Sequence, residues 1–443
     1  MRDTKLSRRR LLTLGGATIV AGSLGGGAFA AAPGRQLQAI GPAQIPARNV
    51  LHLAATDGWA ALPVPATQVG YDFPDSMAPE GKTTYVFGFR DVTGFSDQQV
   101  LDQKGKVQIC APLLWFDEYQ ASLGNDVQVT VTNIGLQVRP DLTDGHTLHW
   151  HGFRNAIPFY DGVPEMSVSI PLGRDLTYFY QPKDPGTYMY HCHFEDVEHV
   201  QMGMTGPLFV RPRQNGTVLG GFNKFAYNDG DGSTGYDREF ALLLTEMWLE
   251  SHWKDAHIQQ PLWDEYKADA WLINGRSYPD TLAPSTGFYG PTGPPPPAGV
   301  AVGDPNPWPN PRVAAPPRLS HQPLSSLVTC NAGDRVLLRL ANLGYQQHAM
   351  TTPGLVLDVV GKDATLLANG SVKTSMQTET VSIGPGESFD CLFTAPATPG
   401  TYVLYDRAYA TSQNRDQQGI GGMRTEIHVL PAGTLPAQTA PNA

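Results

Sequence analysis

Between Tyr190 and Met204 the chain reads YHCHFEDVEHVQMGM, gathering three histidines, one cysteine and Met204 into a single strand and loop. One thiolate and two imidazoles in a plane, with a long, weak thioether bond along the axis, make a blue (type 1) copper centre. Cys192, His199 and Met204 provide all of these donors except one imidazole. The missing one must come from a second strand.

That strand is HTLHWHG, His146 to Gly152. Side chains alternate faces along a strand, so His149 and His151 share one side and His146, three residues before His149, takes the other. The same alternation places His191 and His193 on one face and Cys192 on the opposite one. Two metal surfaces are therefore expected back to back. His146, Cys192, His199 and Met204 form the first, and His149, His151, His191 and His193 form the second.

These strands need a β framework. Thr83–Phe89, Val127–Thr132, Leu176–Tyr180 and Thr187–Tyr190 alternate or carry strand-forming residues between turns, and no helical run of similar strength competes. An internal repeat sets the larger organisation. GNDV leading to TNIG (124–135) returns as GDRV leading to ANLG (333–344), VSIPLG (168–173) as VSIGPG (381–386), PGTY (185–188) as PGTY (399–402), and MGM (202–204) as GGM (421–423). The expected fold is all-β, with two tandem Greek-key β-sandwiches at 81–214 and 236–432 joined by a linker at 215–235. A proline-rich insertion at about 281–323 and a tail at 433–443 complete the chain, and 31–80, rich in Ala and Pro, reads as an extension lying on the body. In the second copy Tyr405-Asp406-Arg407 stands where the first has His191-Cys192-His193. That copy is expected to hold no copper of its own.

With 443 residues the chain can bury more than one core, and 47 glycines, 38 prolines and a 16% charged fraction suit a turn-rich β protein. The net charge of −10 argues against nucleic acid and anionic membrane surfaces as partners. Residues 1–30 carry Arg8-Arg9-Arg10, a short Gly- and Ala-rich apolar run and Ala28-Phe29-Ala30. They read as a twin-arginine export signal, giving a periplasmic or extracellular protein with no membrane anchor after processing. Cys330 and Cys391 form either a disulfide or two buried thiols, and Cys110 has no evident partner.

H-x-x-H-x-H-G followed by H-C-H and then H-x-x-x-x-M resembles the copper motifs of the multicopper oxidases, laccase-like enzymes built from cupredoxin domains. Asp161-Gly162-Val163-Pro164 and Met202-Gly203-Met204-Thr205-Gly206 are similar to that family's flanking sequence. The resemblance implies a type 1 copper taking single electrons from a small-molecule or metal-ion reductant at the His199 edge. It also implies transfer through Cys192, His191 and His193 to a type 2/type 3 copper cluster that reduces dioxygen. Six residues separate Cys192 from His199 where the family usually has four, which adds Glu195, Asp196 and Glu198 to the loop. The family builds its cluster from eight histidines in two domains, and the second domain here has no H-x-H at either matching place, so a partial cluster is the alternative.

His348 is the one histidine near a matching position. As an extra ligand across an interface it would resemble the copper nitrite reductases, which implies a homotrimer and a nitrite-reducing alternative. A blue-copper electron carrier without oxygen chemistry is the other alternative. His52, His252, His257, His321 and His428 are scattered and read as ordinary structural or solvated side chains.

Overall fold

Eight strands build the amino-terminal sandwich: β1 (Val50–Ala60), β2 (Thr84–Asp91), β3 (Leu114–Asp117), β4 (Val127–Asn133), β5 (His149–His151), β6 (Asp175–Tyr180), β7 (Gly186–His191) and β8 (Thr205–Arg211). The structure, a computed structural model, describes residues 49–64, 71–285, 317–369, 372–415 and 419–443. One sheet runs β2-β1-β4-β6 and the other β3-β8-β7-β5. In β4 the alternation does its work: Val127, Val129 and Val131 are buried, whereas Gln128 is exposed. Both sheets feed one core, with Leu53, Phe87 and Val129 from the first meeting Leu114, Trp150, Tyr190 and Leu208 from the second.

The second sandwich repeats this plan, and the fold is that of two tandem cupredoxin-like domains. One sheet centres on Arg238–Met247, Arg335–Asn342 and Ser388–Thr394; the other contains Val328–Asn331, Arg424–Leu430, Gly400–Asp406, His348–Thr351 and Thr380–Ile383. Its register matches the repeat residue by residue. His149 pairs with His191 in the first copy and Thr351 with Tyr405 in the second. His146 bridges Ile170 just as His348 pairs with Ile383. Parallel strands place Ala55 beside Asn133 and Leu244 beside Asn342, which makes Asp57 and Glu246 counterparts.

Within 31–80, the described residues 50–60 differ from the expected extension. Val50–Ala60 is an inner strand, antiparallel to β2 and parallel to β4. It is buried on both faces for most of its length, so it shows no alternation to read. Thr56-Asp57-Gly58 looks like a turn, but Asp57 is fully buried and accepts bonds from the Tyr85 hydroxyl and the Gln137 and Val138 amides at 2.7–2.8 Å. Gly58 passes so close to its neighbour that a Cβ would stand 2.8 Å from Val107 Cγ1.

Cys330 and Cys391 lie on strands of different sheets, and all four cysteines are buried free thiols, so the disulfide alternative is set aside. Residues 1–48, carrying the expected signal, and 286–316 of the proline-rich insertion lie outside the described residues. The tail is tied down: Asn442 bonds the main chain of Ala241, and Gln438 that of Glu239. Among the described residues no helix is long and apolar enough to cross a membrane.

A buried ionic network joins the two sandwiches. Glu239 takes Arg211 at 2.8 Å and Arg339 at 3.1 Å, and Arg339 also reaches Asp390 at 3.1 Å. Asp390 accepts from Thr187 of β7 and from Tyr227, both at 2.6 Å, and the Arg339 guanidinium lies over the Phe209 ring of β8. Arg211, Glu239, Arg339 and Asp390 have side chains no more than 1% exposed. A charge this deep is tolerated only when paired and hydrogen-bonded.

Candidate metal centres

Strand β7 ends where the Cys192 amide donates to the Met204 carbonyl at 3.1 Å, and the Met204 amide donates to the His199 carbonyl at 2.9 Å. This folds the loop back so that Cys192 Sγ lies 3.3 Å from His199 Nδ1 and 3.9 Å from His146 Nδ1. Two ligands bound at about 2.0 and 2.3 Å to one ion in tetrahedral array stand roughly 3.5 Å apart, so this donor set fits a copper ion. Thr147 donates its amide toward Cys192 Sγ at 3.4 Å. Cys192, His199 and Met204 are 0% exposed and His146 1%. Burial pushes the Cys192 thiol up to about 11, His199 down to about 4 and His146 well below the usual histidine range. Both imidazoles are therefore neutral donors, and an ion must displace the thiol proton to bind.

The longer loop between Cys192 and His199 is the helix Asp196–Met202, entered through Glu195 in the left-handed region (φ 48°) and closed by Gly203. The helix carries the His199 ring into the interior. That ring is sealed by Phe87 and Phe194, with centroids 5.8 and 6.3 Å away, and its Nε2 has no hydrogen-bond partner. The nearest acidic groups are Asp144 and Glu195, which lie with His199 in a cluster whose ligand atoms are within 4.8 Å of one another. Burial, with Glu195 and Asp144 nearby, lifts Glu198 to about 6.

On the opposite face His149, His151 and His191 converge, with one donor atom of each within 4.8 Å of the others. His149 Nδ1 meets the Asp161 carbonyl at 2.6 Å and His191 Nδ1 the Cys192 carbonyl at 2.8 Å, which leaves each Nε2 as the free donor. His151 Nδ1 lies 3.4 Å from His191 Nε2. Three neutral nitrogens suit a copper ion. His193 packs beside them: its ring is 5.1 Å from His149 and 5.4 Å from His191, and its Nδ1 faces Asp196 at 3.8 Å. A carbonyl or amide contact has no side-chain signature, so the sequence does not show Asp161 and Thr147 as partners of these sites.

In the second sandwich the positions equivalent to His146 and Cys192 are His348 and Asp406, with Met423 matching Met204: the Asp406 amide donates to the Met423 carbonyl at 3.0 Å. His348 Nδ1 meets Asp406 at 2.7 Å and Nε2 meets Glu246 at 3.3 Å, all three side chains being at most 1% exposed. Both nitrogens are engaged, so His348 is held as an internal ion-pair partner and is not offered as a ligand at a chain surface. Burial opposes its charge, but Asp406 and Glu246 outweigh that and raise it to about 9. A raised value stabilises the fold fully below the unfolded value of about 6.5 and loses that contribution as pH climbs through about 9. His348→Gln should therefore lower the melting temperature near pH 6 and flatten its decline between pH 6.5 and 9. An unchanged alkaline limb in a thermal melt series would contradict this.

Sequence models of the multicopper oxidase family match residues 117–215 and 238–427, together well over half of the chain. The chain belongs to the multicopper oxidase family. It is 25% identical to Laccase-6 of Arabidopsis thaliana over 274 residues, covering 60% of this chain and 38% of that protein. The first three curated relatives are matched over only 16%, 38% and 36% of their length. Among solved structures, the blue copper oxidase from Nitrosomonas europaea superposes with a TM-score of 0.56 at 23% identity, covering 86% of this chain and 85% of that one. The copper nitrite reductase from Nitrosomonas europaea superposes with a TM-score of 0.50 at 17% identity over 89% and 96%. Both likenesses speak for the fold.

Proposed function

We propose that the chain is a copper-dependent oxidoreductase that takes single electrons from a small-molecule or metal-ion reductant beside His199 and uses dioxygen as oxidant at the face of His149, His151, His191 and His193. Copper bound at the two places would supply reversible one-electron chemistry. The observation that carries this reading is the join between them: Cys192 ends one site with its sulfur, and its carbonyl accepts from His191, a donor of the other, at 2.8 Å. The protein's part is to hold the imidazoles neutral and all the donors oriented and dry. Asp161 and the Cys192 carbonyl fix the imidazole tautomers, and the aromatic seal keeps water from the thiolate. Reductant is taken to dock over Asp144 and Glu195.

Nitrite in place of dioxygen is the second reading, favoured by one feature, the absence of an H-x-H pair at the matching places of the second sandwich. Export through the twin-arginine route belongs to the proposal on the strength of Arg8-Arg9-Arg10 and the apolar run behind them.

Copper analysis of the loaded protein, with dioxygen uptake measured on a phenol or ferrous iron, tests the proposal. Turnover with dioxygen supports it, turnover only with nitrite transfers the assignment, and a blue protein without either is an electron carrier. His151→Ala should keep the intense visible band while abolishing oxidant consumption. Loss of both together would show that the two faces are not separate sites.

A further inference from the structure

Glu246 occupies the position that Asp57 holds in the first sandwich, and both carboxylates take two amides from the loop that follows the next parallel strand. Asp57 binds Gln137 and Val138; Glu246 binds Tyr345 and Gln346, the latter at 2.9 Å. Glutamate is one methylene longer. Its second oxygen reaches His348, inside the cavity where the first copy carries His146 and Cys192. Gly344 makes room for this, since a Cβ there would stand 1.9 Å from Glu246 Oε2.

The loop that Glu246 pins reaches the first sandwich through the Tyr345 side chain. The Tyr345 hydroxyl donates to the Val197 carbonyl and lies 3.4 Å from that of Asp196, in the first turn of the Asp196–Met202 helix. From the same helix Gln201 donates to the Glu246 main-chain carbonyl at 2.9 Å. This helix carries His199, and its far end leads directly to Met204.

We propose that the Asp406–His348–Glu246 group, standing in the second copy of the metal cavity, is a positioning device for His199, acting through Tyr345 on the helix that presents it. The imidazole between two buried carboxylates keeps Glu246 in place. Glu246 keeps the Tyr345 main chain in place, and the phenol holds the helix at its amino-terminal end. A cavity without a metal ligand set of its own thus sets the distance between His199 and Cys192. Tyr345, Glu246 and His348 are positioning residues and touch no reacting atom. The inference deepens the copper reading above and rests on it only for its spectroscopic arm.

Tyr345→Phe removes the helix contacts and keeps the ring; Glu246→Gln loosens the amide clamp. In the metal-free protein, hydrogen exchange should quicken about fivefold across 196–202 in Tyr345→Phe, the loss of one net hydrogen bond, while exchange in Arg335–Asn342 stays put. In the copper-loaded protein the visible band, the type 1 spin-resonance coupling and the reduction potential should all move, in the same direction for both variants. Faster exchange with an unmoved potential overturns the positioning role, as does unchanged exchange. If the wild-type protein never turns blue, the copper reading fails, and the exchange experiment alone then decides whether Tyr345 holds the helix.

Discussion

Replacing Cys192 by serine is expected to bleach the copper-loaded protein completely and to stop transfer from reductant to oxidant, without unfolding the chain. The sulfur is the one soft anionic donor beside His146 and His199, at 3.9 and 3.3 Å, and a hydroxyl cannot replace it as a charge-transfer partner for copper. Serine still offers an acceptor to the Thr147 amide, which approaches the sulfur at 3.4 Å, so the buried donor keeps a partner. The surrounding strands are set by the core and not by the thiol. Circular dichroism should match the wild type, while the absorption spectrum loses its intense red-end band. A band that survives the substitution would refute the assignment of Cys192, and with it the shared path to His191.

The second large effect is on stability. Arg339→Ala should cost about 3–5 kcal/mol, because it leaves Glu239 and Asp390 buried with one guanidinium fewer. That corresponds to a fall in melting temperature on the order of 10 °C for domains of this size. Lost packing over Phe209, whose ring centroid lies 4.4 Å from the guanidinium carbon, adds to it. The acid limb should move as well. Burial alone would raise Glu239, but Arg211 and Arg339 overcome it and hold the carboxyl at about 2. A depressed value stabilises the fold above the unfolded value of about 4.5 and loses that contribution as pH falls toward 2. Removing Arg339 weakens the hold, so acid unfolding should begin at a higher pH. Urea titrations at pH 7 and pH 4 measure both effects, and a change below about 1 kcal/mol at pH 7 would mean the network is not the joint between the sandwiches.

The histidine clusters were legible because strand alternation is local: His149 and His151, or His191 and His193, declare their shared face by spacing alone. The repeat was legible for a related reason, since matching turns and strand ends recur in order. Its alignment of Cys192 with Asp406 agrees with the strand register of both sandwiches. Strand β1 was not legible. Burial on both faces erases alternation, and Thr56-Asp57-Gly58 carries the composition of a turn until Tyr85, Gln137 and Val138 supply its partners.

From sequence alone, then, came the class of fold, the two faces of histidine and the residue that links them, all properties of neighbours along a strand. Tertiary structure decided how closely the second-face histidines gather, with donor atoms of His149, His151 and His191 within 4.8 Å of one another and the His193 ring 5.1 Å from His149. It also decided that the longer loop folds into a helix that carries His199 in beside Phe87 and Phe194, and that His348 answers to two carboxylates. Those carboxylates lie 58 and 102 positions away in the chain. Pairing over such distances follows from how sheets stack and which charges burial forces together, and no local pattern of residues encodes it.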